Sequence, residues 1–354
     1  MAGADALRAA LIRLCDGVAL ERADAAAAFE EIMTGVASPA LIGAFLAALR
    51  CRGESTDVVV AAAGAMRAHA QRVDTRRGPL IDNCGTGGDG WSTFSISTAA
   101  ALVAAGAGAA VAKHGNRGAS GKFGGADALE KLGVRIELDA AHAGRCLDEV
   151  GMAFLFAPKM HPAMRHAGPV RRELGFRTVF NLLGPLTNPA GVRRQVVGVP
   201  SRDAVRLVAG ALASLGCDHA LVVHSRDGLD EISLGAETDA IEVKGASLAE
   251  RVITAADFGL PGVSSEQLRA SSAEESAAAV RAVLEGRPGP HADVVLANAA
   301  AALLVAGLAP SLADGTARAR ESIRSGAARD VLGRLVAFTT AVEADAAGSG
   351  APSR

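Results

Sequence analysis

The stretch Leu80-Ile81-Asp82-Asn83-Cys84-Gly85-Thr86-Gly87-Gly88-Asp89-Gly90 decides how the rest of the chain is read. A short apolar run, Leu80–Cys84, opens into a glycine-rich loop, and a helical pattern follows over Thr98–Ala105. Strand, glycine turn and helix in that order form the opening unit of an α/β domain. Upstream, the spacing of apolar residues predicts helices and no strand: Ala4–Leu14, Arg22–Met33, a segment from Ser38-Pro39 to Arg50, and one from Ser55-Thr56 to about His69. Serine followed by proline supplies an N-cap and a first helical residue. The charged segment Arg72–Pro79 ends in Gly-Pro and reads as a linker. Downstream, apolar runs at Ala109–Ala112, Val134–Leu138, Ala153–Phe156, Gln195–Val199 and Ala220–His224 read as strands. They alternate with helical patterns at Ala126–Leu132, Ala140–Val150 and Arg202–Leu215, an order that implies a largely parallel sheet. His161–Leu183 is helical and interrupts the series, and Ser272–Phe338 returns to Ala-rich helices. The expected organisation is a small all-helical domain over 1–72, a large α/β domain over 79–344 and a flexible tail over 345–354.

Composition narrows the partners. The chain has 354 residues, half of them hydrophobic, with 36 Lys+Arg against 38 Asp+Glu. A net charge of -2 argues against a nucleic-acid surface spread over the protein, and the hydrophobicity argues against disorder. Tyrosine is absent and aromatics are 3%, so base-stacking platforms are not expected. Cys15, Cys51, Cys84, Cys146 and Cys217 are widely and irregularly spaced, which fits neither a disulfide framework nor a zinc site. A reducing, cytoplasmic compartment is expected. Met1–Arg8 has no apolar core and is not a signal peptide. Ala99–Ala112 and Val294–Pro310 are too short or too interrupted to span a membrane. The cations are almost all arginine; only five lysines occur, and Lys113, Lys122 and Lys131 fall within 19 residues.

Gly85, Gly87 and Gly90 match G-x-G-x-x-G, but the dinucleotide reading needs an acidic residue about 20 positions on. That place is taken by Lys113-His114-Gly115-Asn116-Arg117. No Lys-Ser/Thr follows Gly90, so a Walker A loop is excluded as well. The residues do suit a phosphate cradle, because glycines let successive N–H groups approach an anion. Ser95-Ile96-Ser97-Thr98 then either caps the next helix or offers hydroxyls at its positive end. Asp89 inside an anion loop makes sense if a cation accompanies the phosphates. Lys113–Arg117 ends the next strand and leads into a second glycine-rich loop, Gly118–Gly125. Asp227-Gly228-Leu229-Asp230-Glu231 follows the strand Ala220–His224. Adjacent carboxylates there are either solvated or suited to Mg²⁺, which takes one or two carboxylates plus substrate phosphates.

Taken together, these segments resemble the anthranilate phosphoribosyltransferases over nearly the whole chain. The resemblance is carried by Gly85–Gly90, Ser97-Thr98, Lys113–Arg117, Phe154–Pro158, His161, Pro169-Val170-Arg171, Arg177–Pro189 and Asp230-Glu231. It implies a small helical domain, to which 161–183 contributes, hinged to a large α/β domain of the kind shared with pyrimidine nucleoside phosphorylases. It also implies a homodimer that binds phosphoribosyl pyrophosphate with Mg²⁺ and transfers the phosphoribosyl group to anthranilate. Carried over by residue, Gly85, Gly88, Asp89, Thr93, Ser95, Ser97, Thr98, Lys113, Asn116, Ser120, Gly121 and Gly125 meet phosphoribosyl pyrophosphate. Ser97, Asp230 and Glu231 hold the metal. Gly85, Asn116, Arg171, His114 and His161 surround anthranilate, with Arg171 as partner of its carboxylate. No general acid or base is implied, because an aromatic amine is already unprotonated at neutral pH. Departures from the family pattern cluster at the donor site: Ser95 in place of asparagine, Gly121, Phe123 and Gly125 at positions often serine, and the bulky Trp91. They keep two alternatives open, a paralogue acting on another aromatic amine and a non-catalytic nucleic-acid-binding relative.

Overall fold

Ser38 and Ser55 accept backbone N–H groups from Leu41 and Val58, each at 3.3 Å, and so set the starts of two of the N-terminal helices. The computed structural model describes residues 4–118 and 123–349. Helices α1 (Asp5–Cys15), α2 (Arg22–Thr34), α3 (Pro39–Arg52) and α4 (Thr56–Ala68) form a bundle. Its core holds Leu7, Phe29, Ile32, Phe45, Leu46 and Leu49, with Phe29 edge-on to Phe45 at 5.5 Å between ring centroids. Val170, Val179, Phe180 and Leu183 join this same core, so the chain returns to the bundle between 161 and 183.

Beyond the linker come β1 (Leu80–Asp82), α5 (Ile96–Gly106), β2 (Ala110–Gly115), α6 (Gly125–Lys131), α7 (Ala140–Val150) and β3 (Met152–Phe156). Short helices α8 (Ala157–Met160) and α9 (Gly168–Leu174) cross to the bundle. They are followed by β4 (Arg194–Gly198), α10 (Arg202–Ser214), β5 (His219–Ser225), β6 (Thr238–Lys244) and β7 (Ser247–Ile253). Helices α11 (Ala273–Leu284), α12 (Pro290–Ala306), α13 (Leu312–Arg324) and α14 (Ala327–Ser349) complete the chain. The sheet order is β3-β2-β1-β4-β5-β6-β7, parallel from β3 to β5 and antiparallel beyond. Strand order reverses between β1 and β4, and the crevice at their carboxyl ends is where such sheets bind ligands. Along β4 and β5 successive residues face opposite cores: Val196, Leu221 and Val223 face α5 and α12, whereas Val197, Ala220 and Val222 face α10 and the bundle.

Three expectations change. Val134–Leu138 is not a strand: Val134, Ile136 and Leu138 are buried in alternation, but the segment pairs with no ladder and simply lies along the core. Period-2 burial reads the same whether or not a neighbouring strand accepts the hydrogen bonds. β6 and β7 lie beyond the strands read from the sequence, and outer residues of β7 are solvent-facing, which removes the apolar signal. Helix α14 runs to Ser349, into the segment expected as a tail. The helix α5 starts two residues earlier than its pattern indicated, at Ile96. All five cysteines are free thiols. No described helix is long and apolar enough to cross a membrane.

Candidate active site

β1 ends at Asp82, and the glycine loop turns over the carboxyl end of β4. Thr86 N–H donates to the Gly198 carbonyl at 2.9 Å, which seats the loop at the switch point. Gly198 has to be glycine, since a Cβ there would overlap the Asp230 carbonyl. Gly85 is similarly close, 3.3 Å from Asp230 Oδ2 to the place a Cβ would occupy. The loop is also held from outside by Trp91, whose indole N–H donates to the Asp227 carbonyl at 2.9 Å and whose ring lies under Arg269, 4.8 Å away. Its bulk therefore braces the loop against the Asp227–Glu231 segment. Asp89 accepts the Trp91 backbone N–H at 3.0 Å, and Thr93 makes an isolated antiparallel bridge to Arg269.

Behind this loop sits an acidic cluster. Burial pushes the Asp230 carboxyl up, and the adjoining Asp89 carboxyl adds to the shift by charge and by a shared hydrogen bond; the Gly87 backbone N–H and Arg177 oppose it. Glu231 is raised to about 8, first by burial and then by the Asp230 charge, with Lys113 lowering it. Lys113 is buried, and its ammonium donates to the Asn83 carbonyl and Asn83 Oδ1, both at 3.2 Å, and to Ser97 Oγ at 3.1 Å. The Ser97 backbone N–H points at Glu231. Ser97, Lys113 and Glu231 are thus neighbours although they come from α5, β2 and the loop after β5.

Among the described residues no three His, Cys, Asp or Glu side chains converge into a closed metal site. Mg²⁺ usually keeps waters and binds through one or two carboxylates plus substrate phosphates. Adjacent, partly desolvated carboxylates that repel one another are the donor set a divalent cation relieves. Among the described residues the buried Thr98 hydroxyl has no hydrogen-bond partner, and a Cβ on Gly125 would come within 2.9 Å of it. Glycine at 125 therefore leaves space beside an unpaired hydroxyl. Ser95 is tied down instead, its N–H donating to Ser276 Oγ at 2.9 Å while its own hydroxyl accepts from Ser276 at 3.1 Å. Phe123 packs against the large core rather than standing free in the loop. Ser120 and Gly121 lie outside the described residues, as does Lys122.

His114 and His161 come together with Nε2 atoms 3.2 Å apart. His114 Nδ1 donates to the Gly184 carbonyl at 2.8 Å, so its Nε2 is left to accept from His161. Burial lowers His114 to about 4 and His161 to about 3, the neighbouring ring adding to the second shift. Both rings are neutral at physiological pH, and neither holds a spare proton for catalysis. Because both pKa values fall below the ordinary 6.5, the unfolded chain binds more protons below that pH. The histidine contribution to stability is complete above about 6.5 and is lost as pH falls toward 4. Melting temperature followed from pH 7 to 4 should therefore fall less steeply in His161→Asn than in the parent chain.

Arg171, on α9, is half-buried and lies over the Phe180 ring at 5.5 Å. Burial, and then the charge of Arg177, lower its affinity for its proton. Among the described residues no carboxylate pairs with it, so it presents an uncompensated guanidinium. Asn116 is exposed at the end of β2 and accepts the Arg117 backbone N–H at 2.8 Å. His114 and His161 are paired on one face of β2, Lys113 meets Asn83 and Ser97 from the other, and Arg171 stands on the bundle side of the crevice.

Three supporting residues were not singled out in the sequence. Asp82, raised to about 6 by burial, accepts from the His114 backbone N–H at 3.3 Å and from Asn188 at 2.8 Å. Asn188 also donates to the Ala112 carbonyl at 2.8 Å, so it joins two strand ends. Asn83 holds both Lys113 and, at 2.7 Å, the Ser97 carbonyl. A polar Asp-Asn pair closing an apolar strand was the available signal for Asp82 and Asn83. Nothing in the linear order connects Asn188 to them. Cys84 is no nucleophile, since burial drives its thiol far above the ordinary range.

Comparison with known proteins matches this geometry. Residues 77–329 fit the glycosyl transferase family α/β domain, and residues 8–70 the helical bundle domain of that family. An anthranilate phosphoribosyltransferase from Anaeromyxobacter dehalogenans is 52% identical over 331 residues, covering 94% of this chain and 98% of the relative. One from Thermomicrobium roseum is also 52% identical, over 336 residues, covering 94% and 97%. The crystal structure of anthranilate phosphoribosyltransferase from Thermus thermophilus superposes with a TM-score of 0.89 at 45% identity, covering 94% of this chain and 99% of that one. The Saccharomyces cerevisiae enzyme in complex with PRPP and Mg gives 0.87 at 27% identity, covering 95% and 98%. Sequence and fold agree, and the chain belongs to the anthranilate phosphoribosyltransferase family.

Proposed function

We propose that this protein transfers the 5-phosphoribosyl group of phosphoribosyl pyrophosphate to the amine of anthranilate in tryptophan biosynthesis. The products are N-(5-phosphoribosyl)anthranilate and pyrophosphate. One observation carries the reading: a cluster of half-buried, mutually repelling carboxylates lies against a glycine loop, with an arginine that has no acid partner among the described residues on the bundle side of the same crevice. The first suits a metal-bound diphosphate, the second an aromatic carboxylate. Arg171 also favours anthranilate over acceptors that lack a carboxylate.

Gly85, Gly88 and Asp89 form the loop side of the donor site, with Thr93 and Ser95 beyond. Ser97, Thr98, Lys113, Asn116 and Gly125 face it from α5, β2 and the start of α6; Ser120 and Gly121, outside the described residues, are assigned to the donor by the family resemblance alone. Asp230 and Glu231, with Ser97, would hold Mg²⁺. Bound there, Mg²⁺ offsets the negative charge that grows on the departing pyrophosphate. Lys113, fixed by Asn83, adds a compact positive charge on the same side. Gly85 and Asn116, with His114 and His161, line the acceptor side, and Arg171 orients the acceptor carboxylate. The neutral His114–His161 pair shapes that wall and leaves the amine unprotonated. The nitrogen lone pair attacks C1 of the ribose from the face opposite pyrophosphate as the C1–O bond breaks, and the amine then sheds its proton to solvent. Positioning supplies most of the rate, since no strong base is needed.

The domain division 1–72 and 79–344, with 161–183 on the bundle side, is proposed on the same grounds. A homodimer through the helical part is supported by the exposed apolar Ile12, Val18, Val36 and Phe176. Free thiols at all five cysteines support a cytoplasmic setting. The assay is direct: with Mg²⁺ and phosphoribosyl pyrophosphate, anthranilate fluorescence should fall with time. Pyrophosphate release with another aromatic amine, but none with anthranilate, would reassign the acceptor. A flat signal with every amine, together with DNA binding, would point to a non-catalytic relative. Gly198→Ala should displace Asp230 and cut the steady-state rate by about 100-fold, as small misplacements of a reacting site do.

A further inference from the structure

Arg177 is the residue whose placement neither the family blocks nor the charge pattern explains. Its backbone sits on the bundle side, directly before the buried Thr178, Val179 and Phe180. Its guanidinium reaches across the crevice to the glycine loop, where Nη1 donates to the Gly87 carbonyl at 2.7 Å and Nη2 to the Thr86 carbonyl at 3.4 Å. A Cβ on Gly88 would fall on the Arg177 guanidinium, and Gly88 has a φ of +92°. Its positive φ favours glycine at 88, and any side chain there would push the arginine out of its place.

The two hydrogen bonds constrain the loop in a specific way. In a trans peptide the C=O and the following N–H point in opposite directions. The Thr86–Gly87 peptide has its carbonyl on Arg177 and its N–H on the Asp230 carboxylate, so opposite charges hold it from both ends. The Gly87–Gly88 peptide has its carbonyl on Arg177, which turns the Gly88 N–H away from the bundle side. Gly87 and Gly88 both have positive φ and no side chain to resist a flip of these planes. Among the described residues no other group donates a hydrogen bond to either carbonyl from that side.

We infer that Arg177 is a positioning residue for the diphosphate of the donor: it clamps the Thr86–Gly87 and Gly87–Gly88 peptides from the bundle side and presets the loop that receives phosphate. It acts through those peptides rather than by touching the reacting atoms. The inference rests on the proposed donor, phosphoribosyl pyrophosphate.

Titration calorimetry with Mg²⁺ and phosphoribosyl pyrophosphate, in the absence of any amine, tests it on the full chain. If the parent chain does not bind the donor, the functional reading fails before any variant is considered, and the inference falls with it. Where the parent binds, Arg177→Ala should weaken binding by roughly 10- to 100-fold, the range for hydrogen bonds from a charged donor. Arg177→Lys, which can still donate to one carbonyl, should recover part of that loss. At saturating donor, the KM for anthranilate should stay within about 2-fold of the parent value, on the scale of a substitution that leaves a site intact. Gly88→Ala should weaken donor binding in the parent chain and do less additional harm once Arg177 is alanine, because the group it collides with is gone. Parent-like donor affinity in Arg177→Ala would overturn the inference even if its melting temperature fell. So would a loss confined to the anthranilate KM, or strict additivity with Gly88→Ala.

Discussion

Glu231→Gln is expected to lower kcat/KM by about 100-fold or more while making the ligand-free protein melt higher. The two effects have one origin. Glu231 is half-buried beside Asp230 and Asp89, and both desolvation and those neighbours disfavour its charge. An amide of the same shape removes the repulsion, and the released strain should appear as a rise of about 2 °C in the melting temperature. The same amide cannot offer a carboxylate to Mg²⁺, so transfer should require far more metal and reach a lower ceiling. Titrating Mg²⁺ into the fluorescence assay, alongside thermal melts without ligand, reads both halves. A variant that melts lower yet keeps its Mg²⁺ dependence would show that Glu231 is a structural acid. Chelation by EDTA should silence the parent chain and leave little further activity to lose in Glu231→Gln.

Arg171→Ala is expected to raise the KM for anthranilate by about 100-fold with donor affinity nearly unchanged. The side chain is largely withdrawn from water, stacked over Phe180, and has no acid partner among the described residues. A charge kept in that state favours an anion that arrives and leaves. Arg171→Lys should recover little, because an ammonium can neither stack on Phe180 nor make the paired contacts of a guanidinium with a carboxylate. Steady-state kinetics with each substrate varied in turn separates the outcomes. Equal losses for donor and acceptor would show that the anthranilate site has been misplaced. The contrast with Arg177 is specific: loss of Arg177 should be felt in donor binding and loss of Arg171 in acceptor binding, although the two arginines sense each other's charge.

Much of the site was legible because short segments carried several independent signals. The glycine loop combined a preceding apolar run, four glycines and an acid that had no reason to be there unless a cation was bound. The Lys113–Arg117 block stood out against a chain almost devoid of lysine. Asp230 and Glu231 followed a strand, and strand ends face the crevice. Legibility failed where a residue's role depends on a partner far away in sequence. Asn188 meets Asp82 and the Ala112 carbonyl across 106 and 76 positions, and the Arg177 bonds to the glycine loop span about 90. The misread segment Val134–Leu138 failed for a related reason, since alternating burial records contact with a core but not whether a strand lies alongside. Trp91 and Phe123 looked like intrusions into polar loops. One proves to be a brace with a hydrogen-bonded indole, the other a piece of the core.

Local order alone therefore determined the helical N-terminal region and the alternating α/β body, and pointed to a candidate anion site with candidate metal acids. These follow from periodicity and from residue types whose chemistry is stated within a few neighbouring positions. Only the tertiary structure decided which charges are compensated. It neutralised the His114–His161 pair by burial, left Glu231 and Arg171 without adequate partners, and set Arg177 on two loop carbonyls. The physical reason is that compensation depends on distance and solvent exclusion, and both are fixed by where α9, β1 and the loop after β5 meet rather than by any one of them.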